Sequence, residues 1–281
     1  MNTIVIPVYN DWKSLNRLLI KINDKIKQVN SVKILVVDDF SKVKCFLNKK
    51  KFNKLKEIKI LRLNQNLGSQ KAIAIGLEYL KKLNKNFYIT VMDGDGEDDP
   101  SKIDEMVNTA KKYKNYIIVS CRKKRNEKFI FQIAYRLHLF LCFILTGGWI
   151  NFGNFSCFHS KNLKSLLSNN SIWFAYSSAV LKNTKIKRLY AERKRRYFEI
   201  SKVNFLQLLE HSMRVMGVFY KRVFIISLIY TIIVAKFFVE SSNLIYSLIL
   251  LTNFLILFVL AKNYIRSKLN YSDFLKNIKK I

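Results

Sequence analysis

Residues 1–121 alternate short apolar runs with amphipathic segments, and several of the apolar runs end in a polar or acidic cluster. "TIVIPV" reads as a strand, and "DWKSLNRLLIKINDKI" carries apolar residues at helical spacing. "KILVVDD" is a near-continuous apolar run ending in acid, which suits a parallel strand buried on both faces. "IKILRL" is a third strand, "SQKAIAIGLEYLKK" a helix and "FYITVMD" a fourth strand. "PSKIDEMVNTAKKY" is a helix with Pro100 in its first turn, and "YIIVSC" a fifth strand. This alternation predicts βαβ units and an α/β fold with a Rossmann-like, mostly parallel sheet. Open α/β sheets bind ligands beyond the carboxyl ends of their strands. Three clusters fall there and are expected to converge: Tyr9-Asn10-Asp11, Asp38-Asp39 and Asp93-Gly94-Asp95.

The last cluster opens "VMDGDGEDDP", which places Asp93, Asp95, Glu97, Asp98 and Asp99 within one loop of a chain whose formal net charge is +31. In an extended segment alternate side chains point the same way, so Asp93 and Asp95 can face one pocket, joined by Glu97 if the extension continues. Hard oxygen ligands of this kind suit Mg²⁺ or Mn²⁺. Gly94 and Gly96 leave room for a bulky ligand at the backbone. A calcium loop of the EF-hand type fails on spacing, because Asp98 stands where that loop needs glycine and a strand precedes it. An isolated Asp-x-Asp is often only a solvated acidic turn; its weight here comes from its neighbours. The basic balance fits attraction to nucleic acid, acidic lipid or phosphorylated substrates and does not choose among them.

The C-terminal third differs in kind. "VFIISLIYTIIVAKFFV" and "LIYSLILLTNFLILFVLA" are apolar runs separated by "ESSN". Each lies near the lower end of the ~17–25 residues that span a membrane. Lys221 and Arg222 precede the first run, Lys262, Arg266 and Lys268 follow the second, and the connector carries only Glu240. The positive-inside rule then puts both ends in the cytoplasm, while Lys236 snorkels toward the interface. "FIFQIAYRLHLFLCFIL" is too interrupted for a span and reads as an amphipathic helix in the membrane interface over 129–146, with a buried core helix as the alternative. "TGGWINFGNFSCFHSKNLKSLL" holds a Gly-rich turn, a short strand and a helix. "IKRLYAERKRRYFEISKVNF" is densely basic with interleaved aromatics, and "FLQLLEHSMRVMGVFY" is an amphipathic helix. The N-terminus enters a strand-like run directly, without the pattern of a signal peptide. Cys45, Cys121, Cys142 and Cys157 lie far apart, as do His138, His159 and His211, which points to reduced thiols rather than a zinc site or disulfide framework.

Taken together, "IPVYNDWKSLNRLL", "ILVVDDFS", "NQNLGSQKAIAIGL", "VMDGDGEDDP" and "GNFSCF" resemble, in order and rough spacing, the inverting family-two glycosyltransferases of GT-A fold. The nearest subgroup in appearance is the polyisoprenyl-phosphate glycosyltransferases, of the dolichol-phosphate mannose synthase kind. "ERKRRYFEISKVNF" is similar to that subgroup's basic "RY…SK" segment, and a C-terminal two-span hairpin is common there. The resemblance implies a glycosyltransferase domain over 1–203, a juxtamembrane helix over 204–222, a transmembrane hairpin over 223–262 and a basic cytoplasmic tail over 263–281. The protein is then expected in the cytoplasmic membrane, multi-pass, with its catalytic domain and both termini facing the cytoplasm.

The same resemblance assigns roles. Pro7, Tyr9 and Asn10 would border the nucleotide, and Asp38 and Asp39 would contact its base and ribose, although one of that pair can equally be a cap before Ser41. Asn66 and Gly68 open a helix whose N-terminus would face anionic ligand. Asp93 and Asp95 match the metal-and-diphosphate motif, with Glu97 as a further metal ligand where the subgroup usually has Gln. "GNFSCF" departs from the relatives' "GDFR": Asn154 stands for Asp and Ser156 for Arg. Asn is no general base, which a hydroxyl acceptor wants and a lipid phosphate does not. Asp98, Asp99 and Glu192 are other candidates for a base. Arg193, Arg196 and Lys202, in a cluster with Lys194 and Arg195, would hold acceptor phosphate, or form a basic surface drawn to anionic lipid. The expected partners are a nucleotide-sugar donor (UDP before GDP) and a polyisoprenyl phosphate such as undecaprenyl phosphate. A glycolipid or growing glycan is the alternative acceptor, and a homo-oligomer is left open. Nucleic acid is not expected, since five carboxylates in the loop would repel its backbone; nor is an inactive scaffold, given intact Asp38, Asp93 and Asp95.

Overall fold

The computed structural model describes residues 1–27, 31–47, 52–83, 85–122, 129–198, 205–238, 247, 249–254, 257 and 279–280. It divides into two compact units: residues 1–126, 151–202 and 270–281, and residues 127–150 and 203–269.

The first unit is built on one sheet of eight strands. They are β1 (Asn2–Val8), β2 (Val32–Asp38), β3 (Leu55–Arg62), β4 (Tyr88–Val91), β5 (Tyr116–Arg122), β6 (Phe152–His159), β7 (Lys185–Ala191) and β8 (Lys279–Lys280), in the order β7-β5-β6-β4-β1-β2-β3-β8. β1 pairs in parallel with β2 and β4, β2 with β3, and β5 with β7. β6 runs antiparallel between β4 and β5, and β8 antiparallel on β3. All strands except β6 and β8 therefore deliver their carboxyl ends to one edge.

Both faces of the sheet are covered, which explains the unbroken apolar runs. Ile4, Ile6, Ile34 and Val36 face α1 (Trp12–Lys25) and α3 (Ile103–Lys112); Val5, Leu35 and Val37 face α2 (Ser69–Lys82). The alternation within each strand is the period-two rule at work. Asp11 caps α1 by accepting the Ser14 N–H, and Leu15, Leu18, Leu19 and Ile22 form its buried stripe. α2 lies close on the sheet because residue 76 is glycine: a Cβ there would sit 2.9 Å from Val37 Cγ2 and 3.0 Å from Val5 Cγ1. Burial raises the Cys121 thiol to about 11 and the Cys157 thiol to about 12, so both stay protonated.

β7 was not foreseen. Its "KIKRLYA" carries three cations and reads as surface, but it is an edge strand whose exposed side tolerates them.

Helices α5 (Leu163–Leu166) and α6 (Tyr176–Asn183) belong to the first unit; the second unit is helical, with α4 (Phe129–Thr146), α7 (Phe205–Gly217), α8 (Tyr220–Phe238) and described residues within 247–257. α4, which the sequence reading kept inside the first domain, clusters with the C-terminal helices instead; Arg222 Nε donates to the Ile144 carbonyl at 3.1 Å. α8 exposes Phe224, Ile225, Leu228, Ile229, Ile232 and Ile233. Asn253 ties the two apolar runs together: it accepts from Ser227 Oγ at 2.6 Å and donates to Thr231 Oγ1 at 2.8 Å. Among the described residues no single helix is long and apolar enough to cross a membrane. Glu210–Gly217 and Tyr220–Lys236 meet that measure only as a pair bent by 100°. Most of the second apolar run and the basic tail lie outside the described residues.

Gly76→Ala is expected to destabilise the protein by about 1–3 kcal/mol, because two β-branched side chains of the sheet would have to give way. Thermal unfolding measures this, and a variant as stable as the parent would refute the close helix–sheet approach.

Candidate active site

The carboxyl edge gathers the three predicted clusters and a fourth element. After β1, Asn10 adopts φ 55° and its Oδ1 accepts from the Lys42 N–H at 2.7 Å and the Val43 N–H at 3.2 Å. Its own N–H donates to Ser41 Oγ. Pro7 lies in buried β1 with its carbonyl against Gly94, while the Tyr9 side chain is exposed. After β2, both acids are 2% exposed and both hold loops. Asp38 Oδ1 accepts the Ser41 N–H at 2.9 Å and its Oδ2 lies 3.7 Å from Arg62 Nε. Asp39 takes the Leu67 and Gly68 N–H groups, each at 2.7 Å. Among the described residues no helix directly follows Ser41, so neither acid is the helix cap expected for one of them; both tie loops instead. Burial raises the Asp39 carboxyl above its ordinary value, against those two N–H donors. Asn66 is exposed and its Oδ1 also accepts from the Gly68 N–H. Gly68, at φ 86°, precedes α2 without a side-chain cap, which leaves that helix end open toward the strand edge.

In the acidic loop the extension expected through Glu97 stops at a turn. Gly96 adopts φ 88°, and Asp95 Oδ1 turns back to accept the Glu97 N–H at 3.0 Å. The carboxylates consequently face different partners. Asp93 Oδ1 accepts from Asn154 Nδ2 at 2.8 Å, and the Asp93 N–H donates to Asp98 at 2.9 Å. Asp95 Oδ2 pairs with Arg196 at 3.0 Å, Glu97 pairs with Arg193 and Arg196, and Asp99 pairs with Lys194 at 3.4 Å. Among the described residues no three metal-ligating side chains gather around one point. Asp95 and Glu97, which share Arg196, still fit an ion that takes one or two protein carboxylates and completes its shell from water and phosphate; they do not fit a cage made by protein alone.

The fourth element is the segment after β7. The Lys194 N–H donates to the Glu97 carbonyl and the Tyr197 N–H to the Asp95 carbonyl. Tyr197 packs on Gly96 so closely that a Cβ at 96 would run into its ring. Arg193 and Arg196, expected to hold acceptor phosphate, here pair with carboxylates of the loop, whereas Lys202 lies outside the described residues. Burial raises the Asp95 carboxyl, with Arg196 and Arg193 opposing and nearby Asp11 adding. Burial also pushes Asp99 up, but the Ser101 N–H and Lys194 outweigh it and leave that carboxyl below its ordinary value.

Sequence reading missed Gln70. From the first turn of α2 it donates to Asn154 Oδ1 at 3.3 Å and accepts the Tyr176 N–H at 2.7 Å. The line Tyr176–Gln70–Asn154–Asp93 fixes the Asn154 amide with its NH₂ toward Asp93. Residues 84 apart in sequence gave no local sign of it. Ser156, in contrast, is buried and its hydroxyl meets Tyr176 Oη at 2.6 Å, so it belongs to the core.

The first unit is an α/β GT-A-like domain with polar groups and clustered carboxylates at the carboxyl ends of its parallel strands. Residues 3–177 match the model of glycosyl transferase family 2. The chain belongs to that family. It is 25% identical over 143 residues to an uncharacterized glycosyltransferase of Synechocystis sp., covering 48% of this chain and 42% of that protein. It is 33% identical over 109 residues to an uncharacterized protein of Methanocaldococcus jannaschii, covering 37% and 44%. The matches thus span less than half of either relative. Among solved structures, a mycobacterial protein superposes with a TM-score of 0.50 at 12% identity, covering 79% of this chain and 74% of that one. Staphylococcus aureus TarS, in complex with UDP-GlcNAc, gives 0.49 at 14%, covering 97% and 77%.

Two outcomes test this geometry. Gly96→Ala should displace Tyr197 and loosen the basic segment, seen as faster amide exchange at Lys194 and Tyr197; unchanged exchange would refute the contact. Asn154→Asp would set a second carboxylate against Asp93, and one of the two would keep a proton. The folded-state pKa of that pair then exceeds the unfolded ~3.9. The variant should match the parent below that value and lose about 1–3 kcal/mol as pH rises through the raised pKa. Denaturant unfolding across pH reads this, and a pH-independent difference would refute it.

Proposed function

We propose that the protein is a membrane-anchored inverting glycosyltransferase that moves a sugar from a nucleotide donor, a UDP-sugar before a GDP-sugar, to a polyisoprenyl phosphate. The observation that carries this reading is the committed amide of Asn154. It stands where many relatives carry Asp, it donates to Asp93, and Gln70 holds its other end. It can neither take a proton nor turn away to make room for a base. Asp98 is bonded to the Asp93 N–H, and Asp99 to the Ser101 N–H and Lys194. A lipid phosphate is anionic near neutral pH and needs no such base.

Asp38, Asp39 and Asn10 act by holding the loops that border the nucleotide. The open end of α2 offers N–H groups to its phosphates. Arg193 and Arg196, already beside the loop, can exchange carboxylate partners for donor or acceptor phosphate. Asp95 and Glu97 would hold Mg²⁺ or Mn²⁺, which when bound neutralises a leaving diphosphate. The exposed apolar face of α8 and the Asn253 link between the two apolar runs support the hairpin in the membrane, and the flanking cations support a cytoplasmic catalytic unit. One observation favours a glycolipid or glycan acceptor instead: Glu192 lines the same cavity of about 30 Å³ as Asp93 and Asn154, where it could serve a hydroxyl.

The test is a panel of radiolabelled nucleotide sugars given to the purified protein with Mg²⁺ or Mn²⁺ and undecaprenyl phosphate. Label is expected in the organic phase. Asp95→Asn should abolish transfer with the unfolding midpoint kept, and Asn154→Ala should be milder. Transfer only to a hydroxyl-bearing glycolipid, lost in Glu192→Gln, would establish the second reading instead.

A further inference from the structure

We infer that a basic groove along α1, bordered on one side by Gly96 and Asp99 of the acidic loop, is a binding site for a phosphate-bearing anion. The groove shares Arg196 with the proposed sugar-transfer site, but the cations the inference rests on are Arg17, Lys21, Lys25 and Arg195, and its test leaves Arg196 intact. The groove has a volume of about 600 Å³ and runs between α1 and the segment after β7. Six cations line it: Arg17, Lys21 and Lys25 from α1, and Lys194, Arg195 and Arg196 from that segment, against two carboxylates, Asp24 and Asp99.

The ion pairs leave a surplus. Arg196 is drawn to Asp95 and Glu97, and Lys194 to Asp99. Among the described residues Arg17, Lys21, Lys25 and Arg195 make no ion pair, and Asp24 pairs with none of them. Arg17, Lys21 and Lys25 stand four apart, on one helix face, with a rise of about 6 Å per step. These cations are also held in place. Arg17 lies 5.2 Å and Lys21 4.5 Å from the centre of the Tyr197 ring, and Gly96 backs that ring from the loop. Two like charges on one ring repel each other, and the ring face offsets only part of that. An anion between them turns the repulsion into attraction. Arg17 and Arg195 can each offer a guanidinium fork, and the lysines add point charges, a donor set matched to the several oxygens of a phosphate.

The test is titration calorimetry of the full chain in uncharged detergent micelles, with EDTA present and glycerol 3-phosphate as probe. The Arg17→Ala/Lys21→Ala/Arg195→Ala variant should bind about tenfold more weakly or worse. The charge-matched Lys56→Ala/Lys82→Ala/Lys164→Ala variant, on exposed sites elsewhere in the same unit, should stay within about twofold. Equal loss in both variants would reduce the effect to net charge and overturn the site. So would undiminished binding in the groove variant, or no binding by the parent. Doping the micelles with phosphatidylglycerol separates the sources: competition with glycerol 3-phosphate in the parent assigns the site to a lipid headgroup, and no competition assigns it to a soluble phosphate compound.

Discussion

The site rests on the pairing of an acidic loop with a basic segment that the chain supplies about a hundred residues later. Five carboxylates between Asp93 and Asp99 repel one another, and burying them further raises the cost. Arg193, Lys194 and Arg196 offset that cost, while two backbone hydrogen bonds hold the segment in register with the loop. The pairing exists because β7 lies parallel to β5 and therefore ends at the same edge as β4. A strand of the opposite sense would have carried the cations to the far side of the sheet. Gly96 completes the fit, as its positive φ turns the loop and its missing side chain admits Tyr197.

A second constraint reaches the site from the core. Tyr176 is fully buried and fixes Gln70, which fixes Asn154, which fixes Asp93. Each member uses a neutral amide or a backbone N–H, so a carboxylate at the edge is oriented without a second charge beside it. That economy matters where burial already lifts Asp95. It also separates two residues of "GNFSCF": Asn154 lies at the candidate site against Asp93, and Ser156 packs in the core against Tyr176.

How much of this could be read beforehand follows from the range of each interaction. Strands β1 to β5 and helices α1 to α3 were legible, because their apolar periodicity is local and each buries a face. α2 was read to its observed bounds, Ser69–Lys82. β7 was missed because an edge strand needs little apolar surface, and the grouping of α4 with the C-terminal helices was not legible because an apolar helix does not announce which neighbours will cover it. The extended acidic loop was expected from alternation, which cannot foresee the turn at Gly96.

By itself the sequence determined the α/β class, the polar clusters at strand ends and the residue types of the site. These follow from local periodicity and from where hydrophobic runs stop. Only the tertiary structure decided which groups meet: Arg196 with Asp95, Gln70 with Asn154, Arg17 and Lys21 with Tyr197. Those contacts join residues far apart along the chain, and strand order and direction, not local composition, set the distances between them.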